Sequence, residues 1–210
     1  MLFGSPTLPV FVGIIVALVV GITFHEFSHA FVADRLGDHR PRALGRVSLN
    51  PIRHLDPVGA IFFLLAGFGW GRPVPVNAYA LRPGRIGLTI VALAGPVANF
   101  TVAVVVAILF RVLRQVGLLD APFPNDVMQL IVYFNVALGL FNLIPIPPLD
   151  GYNVVLPLLP PRQQFTVQRY AQYGYIALLL LVVLSYGPGN GPLGWLFSVA
   201  GDIQRFLIGA

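Results

Sequence analysis

Apolar residues dominate four stretches of the chain: Leu8 to about Ala33, Ile86 to about Leu113, Val127 to Ile144, and Ala171 to Tyr186. A helix needs about 20 apolar residues to cross the hydrocarbon core of a bilayer. The first three stretches therefore predict full spans, and the fourth predicts a span begun by the polar turn Arg162 to Tyr170. Val58 to Phe68 is as apolar but only about half that length, and Gly67, Gly69 and Gly71 follow it. It predicts a half-crossing helix packed on the other spans, which a membrane tolerates when protein covers it.

The polar segments divide these runs. Asp34 to Pro57 is a polar connection in which Gly45 to Pro51 alternates and carries breakers, predicting a short strand and then a turn. Trp70 to Arg85 is rich in proline and glycine, and Pro73-Val74-Pro75-Val76-Asn77 reads as extended. Gly117 to Asp126 is a turn-rich loop. The third span runs into Asn142-Leu143-Ile144-Pro145-Ile146-Pro147-Pro148-Leu149-Asp150-Gly151, where three prolines break the helix and free backbone carbonyls. Tyr152 to Pro161 is apolar with three more prolines, Gly187 to Pro192 is a tight linker, and Leu193 to Ile208 predicts a last helix whose polar end suits the interface as well as a crossing. The pattern gives an all-α fold, a polytopic membrane helix bundle with a short half-crossing helix and an extended Pro-rich loop. It is expected as one domain over residues 1–210, with a core of about 8–155 and C-terminal helices of about 162–210.

Composition agrees. Of 210 residues 57% are hydrophobic and 10% charged, against about a quarter charged in a soluble domain, and the mean hydropathy is +0.82. The 13 cationic residues are all arginine, and the net charge is +5. They are scattered between apolar spans rather than gathered in a phosphate-binding patch, so they set orientation and do not point to nucleic acid. Arg35, Arg40, Arg42, Arg46, Arg53, Arg72, Arg82, Arg85, Arg162 and Arg169 fall on one side, and Arg111 and Arg114 on the other. This predicts an N-terminus outside and a cytoplasmic Asp34–Arg85 region. The N-terminus lacks a basic leader region, so the first span is expected to be retained. With no cysteine, any metal must take His, carboxylate or water.

The chemistry centres on His25-Glu26-Phe27-Ser28-His29, an H-E-x-x-H sequence inside an apolar run. On a helix His25 and His29 lie one turn apart on one face and can take two positions of a tetrahedral zinc. Glu26, the only glutamate in the chain, can serve as general base toward water at the metal. Ionisable groups at membrane depth are costly and usually functional. The third ligand must come from elsewhere. Asp150, beside the broken helix and at the membrane depth of His29, is favoured over His54. Asn99, in Ala94-Gly95-Pro96-Val97-Ala98-Asn99, and Asn142 are polar within span sequence. Each can glue helices or donate a hydrogen bond to a reacting carbonyl, and glue is preferred for Asn99.

The set H-E-F-S-H, G-P-V-A-N and N-L-I-P-I-P-P-L-D-G, joined by N-P-I-R-H-L-D-P-V-G and G-W-G-R-P-V-P-V-N, resembles the site-2 protease family of intramembrane zinc metalloproteases, in a minimal prokaryotic branch without a PDZ-like domain. It covers roughly residues 20–155. The resemblance implies zinc on His25, His29 and Asp150, Glu26 activating water, and Asn142 near the substrate. It also implies cleavage of a single-span membrane protein within the lipid bilayer, in the plasma membrane of a prokaryote. His54 is expected to modulate rather than catalyse. Two other classes compete: a membrane metal transporter, which needs no general base, and a non-catalytic scaffold that uses metal for stability.

Overall fold

A computed structural model describes residues 7–66, 69–82, 84–185 and 191–209, without the side chains of 64–66. Its α-helices are α1 (Leu8–Arg35), α2 (Arg40–Ala43), α3 (Pro57–Ala66), α4 (Arg85–Gln115), α5 (Pro122–Asn142), α6 (Asp150–Val155), α7 (Pro161–Tyr170), α8 (Gly174–Leu184) and α9 (Gly194–Ile208). Among the described residues there is no strand, only an isolated antiparallel bridge between Leu55 and Gly71.

The centre of the bundle is α1 packed on α4 and α5. Small residues set its spacing. Gly13, Ala17 and Gly21 recur every fourth position on the buried face of α1, which brings α1 against Leu130 and Leu138 of α5. Close approach at such positions replaces the hydrophobic drive that helices lack in lipid. The pairs Gly13–Leu130 and Gly21–Leu138 make α1 and α5 parallel. On α4 the same period gives a buried face of Gly87, Val91, Gly95, Asn99, Ala103 and Ala107, antiparallel to α1. Beyond the site, Phe110, Val132, Val136, Ala200 and Ile208 form an apolar cluster that seats α9 on α4 and α5.

By length and apolarity, α1, α4 and the segment Pro161–Leu184 can cross a membrane. The last joins α7 and α8 through a 3₁₀ turn at Ala171–Tyr173, so the candidate fourth span includes the polar turn. The predicted third span is a helix of 21 residues, but it falls outside that set. Asn125, Asp126, Gln129, Asn135 and Asn142 reduce its apolarity, and burial between α1 and α4 compensates. It also starts earlier than Val127, because Pro122 fits the first turn, where its missing N–H costs nothing.

A short helix stands where the half-crossing one was expected, α3, ten residues long, about 15 Å, but Val58, Ile61 and Phe62 are exposed rather than packed on the other spans; Gly67 and Phe68 lie outside the described residues. The expected strand within Gly45–Pro51 is absent. Instead, Arg46 N–H bonds Pro41 O, Ser48 N–H bonds Arg46 O, and Asn50 caps a 3₁₀ turn over Pro51–Arg53. With no neighbouring strand to satisfy its backbone, the segment closes on itself. Of the stretch 73–77 expected to be extended, Asn77 has extended dihedrals (φ −103°, ψ 104°) and the rest is in neither helix nor strand. Most of the Gly187–Pro192 linker lies outside the described residues.

Candidate metal centre

The small-residue face of α1 continues directly into the histidines: Gly13, Ala17, Gly21, His25, His29 and Ala33 stand four residues apart and are all buried. The face that packs most tightly on its neighbours therefore carries the two imidazoles inward. Opposite them α4 presents Val91, Gly95 and Asn99. Asp150 arrives at the first position of α6, after the proline-rich break that ends α5.

Three atoms converge. Nε2 of His25 lies 3.0 Å from Nε2 of His29. Asp150 Oδ2 lies 3.0 Å from His25 Nε2 and 3.2 Å from His29 Nε2. The outer nitrogens explain why these atoms face inward. His29 Nδ1–H donates to the Val91 carbonyl at 2.7 Å, and His25 Nδ1–H donates to Asn99 Oδ1 at 2.7 Å. Asn99 in turn gives its amide hydrogens to Gly21 O and Asn135 Oδ1, both at 3.0 Å, and Asn135 donates to Ile131 O at 2.9 Å. With both Nδ1 atoms committed as donors, each Nε2 presents a lone pair.

Two lone pairs and a carboxylate oxygen pointed at one spot repel unless a cation lies among them. Ligands 2.0–2.2 Å from a tetrahedral zinc sit roughly 3.3 Å apart, close to the separations here. Gly95 supplies the room: a Cβ there would lie 2.5 Å from His25 Cε1 and against His29 Nε2. The donor set and this cradle fit a zinc ion. Among the described residues no other group of three His, Asp or Glu side chains is so placed.

The other expected site residues fall differently. Glu26 stays outside the three-atom group, with its carboxylate toward Arg46. Its side chain is 14% exposed and that of Asp150 16%, against 10% and 9% for the histidines, so all four are largely enclosed. His54 is fully buried, and its Nε2–H donates to Ser48 O at 2.5 Å. It is not drawn to the metal group, and burial pushes its imidazole below the ordinary value, keeping it neutral. Asn142 turns its amide back to Leu138 O in its own helix, at 3.0 Å. Asn99 both glues helices and orients a histidine. Asn135, not singled out in the sequence, completes that network; an asparagine within a span was the available signal.

Apolar helices buried on small-residue faces, with a His-His-Asp group between them, are the features of a membrane metalloprotein. The family described as Peptidase family M50 matches residues 119–185, the part that carries Asp150. The chain is 39% identical over 178 residues to a Bacillus subtilis protein named "Putative zinc metalloprotease YwhC", covering 83% of this chain and 81% of that one. It is 32% identical over 212 residues to a Mycobacterium tuberculosis protein named "Putative zinc metalloprotease Rip2", covering 93% of this chain and 77% of that one. No solved structure matches. The chain belongs to peptidase family M50, the site-2 protease family of membrane zinc metalloproteases.

Proposed function

We propose that this zinc metalloprotease cuts peptide bonds of single-span membrane proteins within the bilayer, with His25, His29 and Asp150 as metal ligands and Glu26 as general base. The convergence of the three acceptor atoms on one face of α1 carries the reading. Depth supports its intramembrane part. His25 and His29 lie six to ten residues from the end of α1 at Arg35, about 9–15 Å along the axis, inside the thickness of a bilayer.

Zinc held there supplies Lewis-acid polarisation of a peptide carbonyl and water that is acidic near neutral pH. Asp150 adds negative charge, and Asn99 and Val91 hold both rings in the ligating tautomer. Glu26 follows His25 by one residue and so projects about 100° away around the helix, free to take a proton from the attacking water and return it to the leaving amine. A substrate helix must unwind to offer its carbonyl, so glycine or proline near the cut favours cleavage. The arginine distribution supports an N-terminus outside and a centre nearer the cytoplasm, in the plasma membrane of a prokaryote.

The test is cleavage of a single-span peptide by wild type and Glu26→Gln in detergent, with zinc measured in both. Glutamine keeps size and packing but accepts no proton. Cleavage is expected to fall about 10²–10⁴-fold with zinc retained. Equal cleavage by the two proteins overturns the mechanism, and zinc transport that survives the substitution favours the transporter.

A further inference from the structure

Arg46 lies in the polar connection after α1, among arginines that are mostly exposed, yet it is only 6% exposed itself. Its backbone is fixed on both sides, by Arg46 N–H to Pro41 O at 2.8 Å and Ser48 N–H to Arg46 O at 2.9 Å. Gly45 just before it takes φ +67°, a conformation that lets the chain turn there without a Cβ penalty. The guanidinium is thereby carried inward. Nη2 stands 3.9 Å from Glu26 Oε2 and also donates to the carbonyl of Arg72, while Nε is buried without a partner.

Arg72 is tied a second time, its N–H donating to His54 O at 2.7 Å, beside the Leu55–Gly71 bridge. The Glu26 carboxylate lies against this corner: a Cβ on Gly71 would come 3.5 Å from Glu26 Oε1. A buried cation and a largely buried carboxylate each need compensation, and here each faces the other. One nitrogen, Nη2, stands near both the Glu26 carboxylate and the Arg72 carbonyl, so a single group ties the two together.

We propose that Arg46 is a positioning residue that holds the Glu26 carboxylate and the Gly71–Arg72 backbone as one rigid corner, fixing the direction from which Glu26 meets water at the metal centre. The catalytic consequence rests on Glu26 being the base; the contact itself does not.

Because Glu26 is the only glutamate, protein labelled with carboxyl-¹³C glutamate shows the side-chain carboxyl line of this one residue, and that line reports on Arg46 directly. The spectra are compared at one pH near neutrality for zinc-loaded wild type, Arg46→Met, Arg46→Lys and Arg85→Met. The line is expected to move in Arg46→Met, to move less in Arg46→Lys, and to stay in place in Arg85→Met. A line unmoved in both Arg46 variants overturns the proposal, whether or not the protein cleaves anything. Arg46→Lys keeps a buried cation and decides the matter if Arg46→Met does not fold. With zinc loaded, kcat for a single-span substrate is expected to drop about tenfold or more in Arg46→Met, with KM within about threefold and zinc content unchanged, as for a group that acts on the reacting geometry. A kcat equal to wild type, or a loss confined to KM, overturns the positioning role. Failure of Glu26→Gln to affect cleavage would instead strike the base assignment and leave the carboxyl line to judge Arg46.

Discussion

Asn99 is one side chain with three partners on three sides, and its removal tests how far the orientation of a ligand matters. Asn99→Ala leaves His25 Nδ1–H without its acceptor and Asn135 Oδ1 without its donor. Loss of such an outer partner typically costs about 10–100-fold in metal affinity. Zinc competition against a chelator should register that range, and an unchanged affinity would reduce Asn99 to helix glue. Gly95→Ala acts differently, by occupying the space between the imidazoles. It should abolish bound zinc in the purified protein while α4 still forms, since alanine favours helix. The H-E-x-x-H pair was legible because its chemistry is local. The function of Gly95 was only half legible: close approach follows from glycine, but not that imidazoles are what approaches. Asn135 and Arg46 were silent for the same reason. Nothing along the chain distinguishes a buried arginine or asparagine from its exposed neighbours before the helices are brought into register.

At the level of elements, the loop after α1 is held by its own carboxylates. Asp38 is 1% exposed; it accepts Arg40 Nε and Nη2 at 3.0 Å and Asn77 N–H at 2.6 Å, joining the end of α1 to the extended segment. The hydrogen bonds from the Arg40 guanidinium are the main cause that lowers its carboxyl below the ordinary value. A carboxylate depressed in the folded state stabilises above the unfolded value of about 3.9 and loses that contribution as pH falls through the depressed one. Asp38→Asn should therefore melt lower than wild type near neutrality in detergent, and the gap should close on acidification below about pH 4. A gap independent of pH would refute the linkage. Gly37, at φ +113°, makes the preceding turn, and a Cβ there would meet Ala80 O at 3.0 Å. Helices were legible wherever apolar runs were long. The beginning of α5 was not, because Asn125 and Asp126 read as loop although Pro122 had already started a helix. The alternation of Gly45 to Pro51 misled because strand pattern without a partner strand has nowhere to place its hydrogen bonds.

For the whole molecule, two outcomes are expected. Chelation of zinc should lower the melting temperature, since a metal held by the proposed ligands would join α1 to the turn after α5, and His54→Ala should leave zinc content unchanged because its ring bonds Ser48 instead. Metal loss in His54→Ala equal to that in His25→Ala would make it a ligand. The absence of cysteine makes topology testable by single substitutions: Leu118→Cys should react with an impermeant reagent in intact cells and His39→Cys should not. The reverse result inverts the bundle. The arginines carry an orientation expectation because charge bias acts during insertion, independently of the packed fold.

The distance along the chain between His29 and Asp150 is 121 residues. At about 5–20 residues per second of synthesis, roughly 6 to 24 s pass between the two. If Asp150 is the third ligand, as proposed, the nascent chain has made its histidines but not that carboxylate throughout the interval. On the proposed ligand set, a hydrolase assembled in this order is expected to be inert while it is still attached to the ribosome and surrounded by other half-inserted helices, and to become competent only when its own core has closed.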